Sequence, residues 1–251
     1  MTTITAGTVL LTFLVFCRIG GCLMIMPGFG SPRIPTQVRV YLAVSVTLAL
    51  APLLVPQVQG DLGKATPINI GQLILSETLV GASIGIMARI FFLALQFMGT
   101  AVAMLIGFSG MADAPIEEGE PAPAIANILT LTATVLLFTT GLHVEVMRAL
   151  VASYSVISVT DLFDPRFALA KVTDSASDSF ILIAQLTGPF LAFSLIINFL
   201  FGIMNKMTPL IPVYFISAPF VLAGGLLLLY FTFSEALTLF ITGFQTFLAN
   251  G

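Results

Sequence analysis

Long apolar runs of helical length dominate the chain. Six such runs occur, at residues 6–26, 40–55, 70–108, 122–153, 175–205 and 213–248. None of them alternates apolar and polar residues in the way that a membrane barrel strand does. The pattern therefore predicts an all-α integral membrane protein built from long tilted helical hairpins.

The runs at 70–108 and 213–248 are longer than a bilayer requires. The run at 70–108 has 39 residues, which gives roughly 58 Å of helix at about 1.5 Å per residue. The hydrocarbon core of a bilayer is only about 30 Å thick. This run contains no Gly-Pro or Asn-Gly turn, so we expect one continuous helix, with Asn69 as a candidate cap and any bend at Gly85 or Gly99. Since tilt absorbs little of the excess, part of the apolar surface is expected to lie against other protein chains.

Composition agrees with the membrane prediction. Of the 251 residues, 58% are hydrophobic and 8% are charged, and the mean hydropathy is +1.09. Trp is absent and Tyr occurs only four times, whereas helices facing lipid usually place both residues at the membrane interfaces. This scarcity favours a periphery covered by other protein chains. The net charge of −3 comes without a basic stripe, so we expect no nucleic-acid partner.

Ionisable residues inside apolar runs are the first candidates for function. Arg18 is interpreted as a helix-packing residue bonded to protein acceptors, with a place on an ion path as the open alternative. Glu77 is expected to be solvated near the start of its helix, where the helix dipole favours an acid. Glu235 lies deeper in the last run. A proton-coupled transporter would use these two acids together with His143.

Two local patterns on the apolar runs predict contacts, one within a helix and one between helices. Glu145 and Arg148 are three residues apart, so they can form an ion pair on one helix face. A second pattern is a stripe of small residues, which permits close contact between helix backbones. Its members are Gly81, Gly85, Gly99 and Gly107.

Motifs of catalysis are missing from the sequence. There is no Walker A pattern, and GFSG at 107–110 is one residue short of the GxSxG nucleophile elbow. One His and two Cys, at positions 17 and 22, match no metal-ligand spacing. We therefore expect no enzymatic activity, no cofactor and no metal.

A set of Pro/Gly motifs in a fixed order resembles a known family. The motifs are RIGG at 18–21, MPGFG at 26–30, RVYL at 39–42, GFS at 107–109, GIMNKMTP at 202–209 and PVYF at 212–215. Together they resemble the FliR family of type III export-gate proteins, over nearly the whole chain and in its flagellar branch. The chain departs from the family at Leu210, where Gln is common after the preceding proline.

The resemblance implies a function and a set of partners. It implies a non-enzymatic subunit of the flagellar type III protein export gate, in the bacterial inner membrane at the flagellar basal body. Implied partners are FliP-like and FliQ-like gate subunits, FlhA/FlhB-like export proteins, exported flagellar substrates and the lipid bilayer. Residues 1–170 would be a FliP-like part, and residues 171–251 a FliQ-like hairpin. The alternatives are a proton-coupled secondary transporter and the equivalent subunit of a virulence secretion system.

The family also implies a plug in the loop that follows its long third helix, which corresponds to residues 107–121. A pore wide enough for an unfolded chain needs a closure, and apolar side chains can exclude ions by dewetting. The apolar residues there are Phe108, Met111 and Ile116, flanked by glycines that allow movement. A passive, solvated loop is the alternative interpretation of the same segment.

Overall fold

The computed structural model describes residues 6–31, 33–58, 67–108, 123–159, 162–208 and 213–250. The regular structure of these residues is helical, as predicted, and consists of seven helices. In chain order they are α1 (Ala6–Ile25), α2 (Thr36–Val58), α3 (Pro67–Leu105), α4 (Ala124–Thr139), α5 (Leu142–Val156), α6 (Pro165–Met207) and α7 (Val213–Asn250).

The prediction of one unbroken third helix is confirmed, since α3 runs for 39 residues. It begins at Pro67, so Asn69 lies in the first turn and is not the cap that the sequence indicated. Its other end is set by Gly107, which has a left-handed φ of 77°. The Gly107 N–H donates to the Met104 carbonyl at 3.2 Å, and the Phe108 N–H donates to the Ala103 carbonyl at 2.8 Å. These two bonds are a Schellman motif, which satisfies carbonyls at the end of a helix.

Two other apolar runs differ from their predicted bounds. The run at 122–153 is two helices, α4 and α5, bent by 68° at a short break. Gly141 allows this break because its φ of 75° is accessible to glycine at little cost. Helix α6 begins ten residues before the predicted run. The Asp164 carboxylate accepts the Arg166 N–H at 2.9 Å, and Pro165 suits a first helical position, where its missing N–H costs nothing.

Membrane-length helices are present in the numbers that the sequence indicated. Five described helices, namely α1, α2, α3, α6 and α7, are long and apolar enough to cross a membrane, and the bent pair α4–α5 makes six if it counts as one span. The class of helical membrane protein follows from these lengths.

The chain forms two compact units. The first unit comprises residues 1–90, 137–176 and 247–251, and the second comprises residues 91–136 and 177–246. In the first unit, glycines bring α1 and α3 together. In the second unit, Phe91 and Phe92 of α3 contact Phe240 and Phe244 of α7 edge to face. The division of the chain into parts at residue 170 stays a prediction.

Candidate functional site

A fully buried ion pair joins α1 and α3 in the first unit. The Arg18 Nε lies 2.6 Å from the Glu77 Oε2, and the Arg18 Nη2 lies 2.7 Å from the Glu77 Oε1. Both side chains have 0% exposure. Two parallel bonds between a guanidinium and a carboxylate are a strong and direction-specific contact. The expectation of a solvated Glu77 is therefore wrong, because Arg18, 59 residues away in the chain, supplies its charge partner.

Helix α5 completes the surroundings of Arg18. The Arg18 Nη1 donates to the Ser153 hydroxyl at 3.1 Å, and Nη2 donates to the Ile157 carbonyl at 3.1 Å. The guanidinium carbon lies 4.0 Å from the ring centroid of Tyr154, within reach of a cation–π interaction. A buried charge is tolerated when its partners satisfy it this fully. Arg18 thus links α1, α3 and α5. Its interpretation as a packing residue stays a prediction.

Close backbone contact accompanies the ion pair. A Cβ added at Gly81 would collide with the Arg18 carbonyl, and one added at Gly85 would lie 2.8 Å from the Cys22 carbonyl oxygen. In the second unit, a Cβ at Gly99 would lie 2.6 Å from the Ala126 Cα. These glycines occupy positions where two helices touch through their backbones.

Gly107 differs from these glycines in its surroundings. No described atom lies within 4 Å of a Cβ built there, and its role as a helix-packing residue stays a prediction. Its left-handed φ ends α3. Phe108, the first predicted plug residue, follows directly and is half-buried. The other two plug candidates, Met111 and Ile116, lie outside the described residues.

The remaining candidates do not join the buried pair. The His143 Nδ1 lies 3.3 Å from the Leu137 carbonyl oxygen, and its ring packs on Phe138. The predicted pair of Glu145 with Arg148 is confirmed at 2.6 Å, and both side chains are exposed. Glu235 is exposed on α7. No group of three potential metal ligands occurs among the described residues.

Sequence reasoning missed the pairing of Arg18 with Glu77, and it also missed Tyr154. Arg18 and Glu77 were each visible in the sequence as a charged residue inside an apolar run. Such residues usually pair with one another, and this was the available signal for the ion pair. The role of Tyr154 carried no signal, because only the fold brings its ring to the guanidinium. Its hydroxyl is buried with no hydrogen-bond partner among the described residues.

Membrane-length helices joined by buried polar contacts make this a polytopic helical membrane protein. Residues 9–247 match the family described as bacterial export proteins, family 1. The chain therefore belongs to that family.

Several curated relatives carry one common name, flagellar biosynthetic protein FliR. The protein of Caulobacter vibrioides is 32% identical over 90% of this chain and 89% of its own length. The protein of Bacillus subtilis is 24% identical over 86% of this chain and 83% of its own length. That of Escherichia coli K12 is 22% identical over 87% and 82%. These relatives confirm the flagellar resemblance indicated by the Pro/Gly motifs.

Proposed function

We propose that this chain forms part of the pore through which unfolded flagellar proteins leave the cell. By family, the chain is a subunit of the flagellar type III export apparatus. The observation that carries the proposal is the extent of the family match, which covers residues 9–247. In this role the chain works without catalysis, and other components supply the energy.

Exposed apolar surface supports a role inside a larger assembly. Large apolar side chains of α6 and α7 remain uncovered, among them Leu195, Phe199 and Phe220, each at least 70% exposed. Exposed apolar patches of this kind mark contacts with protein or with lipid. The lengths of α6, 43 residues, and of α7, 38 residues, exceed a simple bilayer crossing. We expect partner subunits to cover the apolar surface of these helices that extends beyond the bilayer.

The proposed partners follow from the family and from these lengths. FliP-like and FliQ-like chains would cover the exposed helices, and FlhA/FlhB-like proteins would deliver the exported substrates. In this proposal residues 1–170 form a FliP-like part and 171–251 a FliQ-like hairpin. Two consecutive long helices, α6 and α7, support the second half of that assignment. The proposed location is the bacterial inner membrane at the flagellar basal body.

The proposed closure of the pore begins at the end of α3. Gly107 turns the chain sharply, and the apolar ring of Phe108 follows at once. With Met111 and Ile116, which lie outside the described residues, Phe108 would form an apolar plug that excludes water and ions. Phe108→Ala should raise ion leakage through the assembled pore. Phe97→Ala, on the same helix and 60% exposed, is the matched control.

Both alternatives to a flagellar export subunit lose support. A proton-coupled transporter was expected to use Glu77, but that carboxylate is held by Arg18 in a bidentate pair and is not a free proton site. The equivalent subunit of a virulence system is disfavoured because the curated relatives named above are flagellar.

Co-purification in mild detergent tests the proposal. The tagged chain should bring down FliP-like and FliQ-like chains in constant proportions, measured by quantitative mass spectrometry. Cells that lack the chain should release no filament protein into the medium, and the wild-type gene should restore release. Recovery of a homo-oligomer that transports a small solute in liposomes would contradict the proposal.

A further inference from the structure

A cavity of about 480 Å³ lies in the first unit, next to the buried ion pair, since Ser153 and Ile157 line the cavity and also accept hydrogen bonds from Arg18. It is bounded by α3, α5, the start of α6 and the end of α7. Most of its lining is apolar, including Val80, Ile84, Met87, Val156, Phe167 and Phe247. Its volume is in the range of about 300–1,000 Å³ that is typical of small-molecule sites.

The hydroxyl groups along the wall are already satisfied. The Ser83 hydroxyl donates to the Val80 carbonyl at 2.7 Å. The Ser153 hydroxyl donates to the Leu150 carbonyl at 2.7 Å and accepts from Arg18. Neither serine has a proton left to offer an occupant. The interior therefore suits an apolar group that requires no hydrogen bonds.

The two charged residues of the lining lie on or beside the polar first part of α6. Asp164 accepts the Arg166 N–H and sits at the helix N-terminus, where the helix dipole offsets its negative charge. Lys171 makes no ion pair among the described residues, and it lies about 10 Å further along the helix. An ammonium group in the lining of an apolar cavity attracts an anion.

We propose that this cavity binds one acyl chain of an anionic phospholipid, with the lipid phosphate at Lys171. Helices α3, α6 and α7, which line the cavity, are long and apolar enough to cross a bilayer, so lipid is at hand. On α6, Lys171 lies one turn after the lining residues Phe167 and Ala168. This order matches that of a lipid, in which an anionic headgroup adjoins an apolar chain.

Shape favours an acyl chain over a helix of another subunit. A helix with its side chains is a rigid cylinder at least about 10 Å wide. A flexible, narrow chain can enter a cavity of about 480 Å³ without needing a straight channel of that width.

Photolabelling of the purified gate complex tests the site. The probe is phosphatidylglycerol with a photoreactive group in its acyl chain, and the labelled peptides are identified by mass spectrometry. Ala152→Phe fills the cavity from α5, and Ala149→Phe fills it one turn earlier, should the first variant fail to assemble. Ala170→Phe is the matched control, since Ala170 is exposed on α6 and does not line the cavity. Lys171→Gln removes the ammonium, and Lys206→Gln controls for the loss of one positive charge on α6.

The expected result has two parts. Label should appear on peptides of α3, α5 or α6, and either filling variant should lower it about tenfold, while the Ala170→Phe control keeps it. Lys171→Gln should lower labelling by phosphatidylglycerol about fivefold, the factor that corresponds to about 1 kcal/mol per basic residue at an anionic surface. It should leave labelling by phosphatidylcholine carrying the same acyl chain unchanged.

Three results would overturn the assignment. The first is parent-level labelling in the assembled filling variants. The second is equal labelling of the parent by phosphatidylcholine and phosphatidylglycerol, or stronger labelling by a free fatty acid of the same length. The third is a partner-subunit peptide crosslinked to a photoreactive residue placed at Phe167. None of these results bears on co-purification with FliP-like chains, so the lipid site and the export role can fail separately.

Discussion

Each of the two compact units has its own kind of internal contact. The first unit has a buried Arg18–Glu77 pair, with α1 and α3 touching through their backbones at Gly81. The second unit has an aromatic cluster in which Phe240 and Phe244 meet Phe92. Polar contacts have fixed donors and acceptors, whereas apolar rings tolerate small shifts. The ion pair of the first unit should therefore respond to substitution far more sharply than the aromatic cluster of the second.

Removing one member of the ion pair should have the largest effect. Arg18→Leu leaves the Glu77 carboxylate buried without a counter-charge, which destabilises by about 3–5 kcal/mol. The purified chain in detergent should unfold at a clearly lower temperature, and less gate complex should be recovered. Normal assembly together with selective loss of an ion current would instead make Arg18 an ion-path residue.

A methyl group at the contact of α1 with α3 should have the next largest effect. The Cβ of Gly81→Ala meets the Arg18 backbone, and overpacking of this kind costs about 1–3 kcal/mol. Gly71→Ala is the matched control on the same helix, because a Cβ there meets no described atom within 4 Å. The control should be neutral or stabilising by up to about 1 kcal/mol, since alanine favours a helix over glycine. Equal thermal unfolding of the two variants would show that the helices are further apart than described.

The aromatic cluster should be more tolerant. Phe240→Leu keeps most of the apolar volume and loses the edge-to-face contact with Phe92 and the stacked contact with Phe244. Such ring contacts are worth about 0.5–1.5 kcal/mol each. Phe220→Leu, at a side chain 73% exposed, should change the unfolding temperature of the isolated chain very little. If Phe240→Leu lowered the unfolding temperature as much as Arg18→Leu does, the contrast between the ion pair and the aromatic cluster would be contradicted.

The surface ion pair should have the smallest effect. Glu145 and Arg148 are both exposed, and such pairs contribute about 0–1 kcal/mol. Glu145→Gln should therefore leave thermal unfolding and assembly nearly unchanged. A loss comparable to that of Arg18→Leu would show that a partner covers this pair in the assembled gate.

Helix lengths and local pairs could be predicted from the sequence, and long-range partners could not. The absence of a turn inside the third run predicted α3, and the spacing of three residues predicted the Glu145–Arg148 pair. Both depend on neighbours in the chain. The partner of Glu77 is 59 residues away, and no periodicity links the two positions. The wrong expectation of a solvated acid came from its local surroundings alone.

Interruptions of helices within apolar runs were also hard to predict. Gly141 divides α4 from α5, but glycine is common inside apolar helices and gives no distinct signal there. By contrast, the true start of α6 was available from the sequence. Asp164 followed by Pro165 is a typical helix N-terminus, and the polar residues after it concealed a helix that continues through them.

If the chain is a structural subunit whose buried Arg18 and Glu77 serve packing, a double variant without either charge should still support export. Arg18→Met combined with Glu77→Leu removes both charges, and apolar replacement of a buried pair is often neutral. The measurement is release of filament protein into the medium, beside recovery of the gate complex, in cells that carry only this variant. The double variant should restore both readouts well above the level of Arg18→Leu alone. A fully assembled double-variant complex that exports nothing would contradict it, because the charges themselves would then be needed for transport.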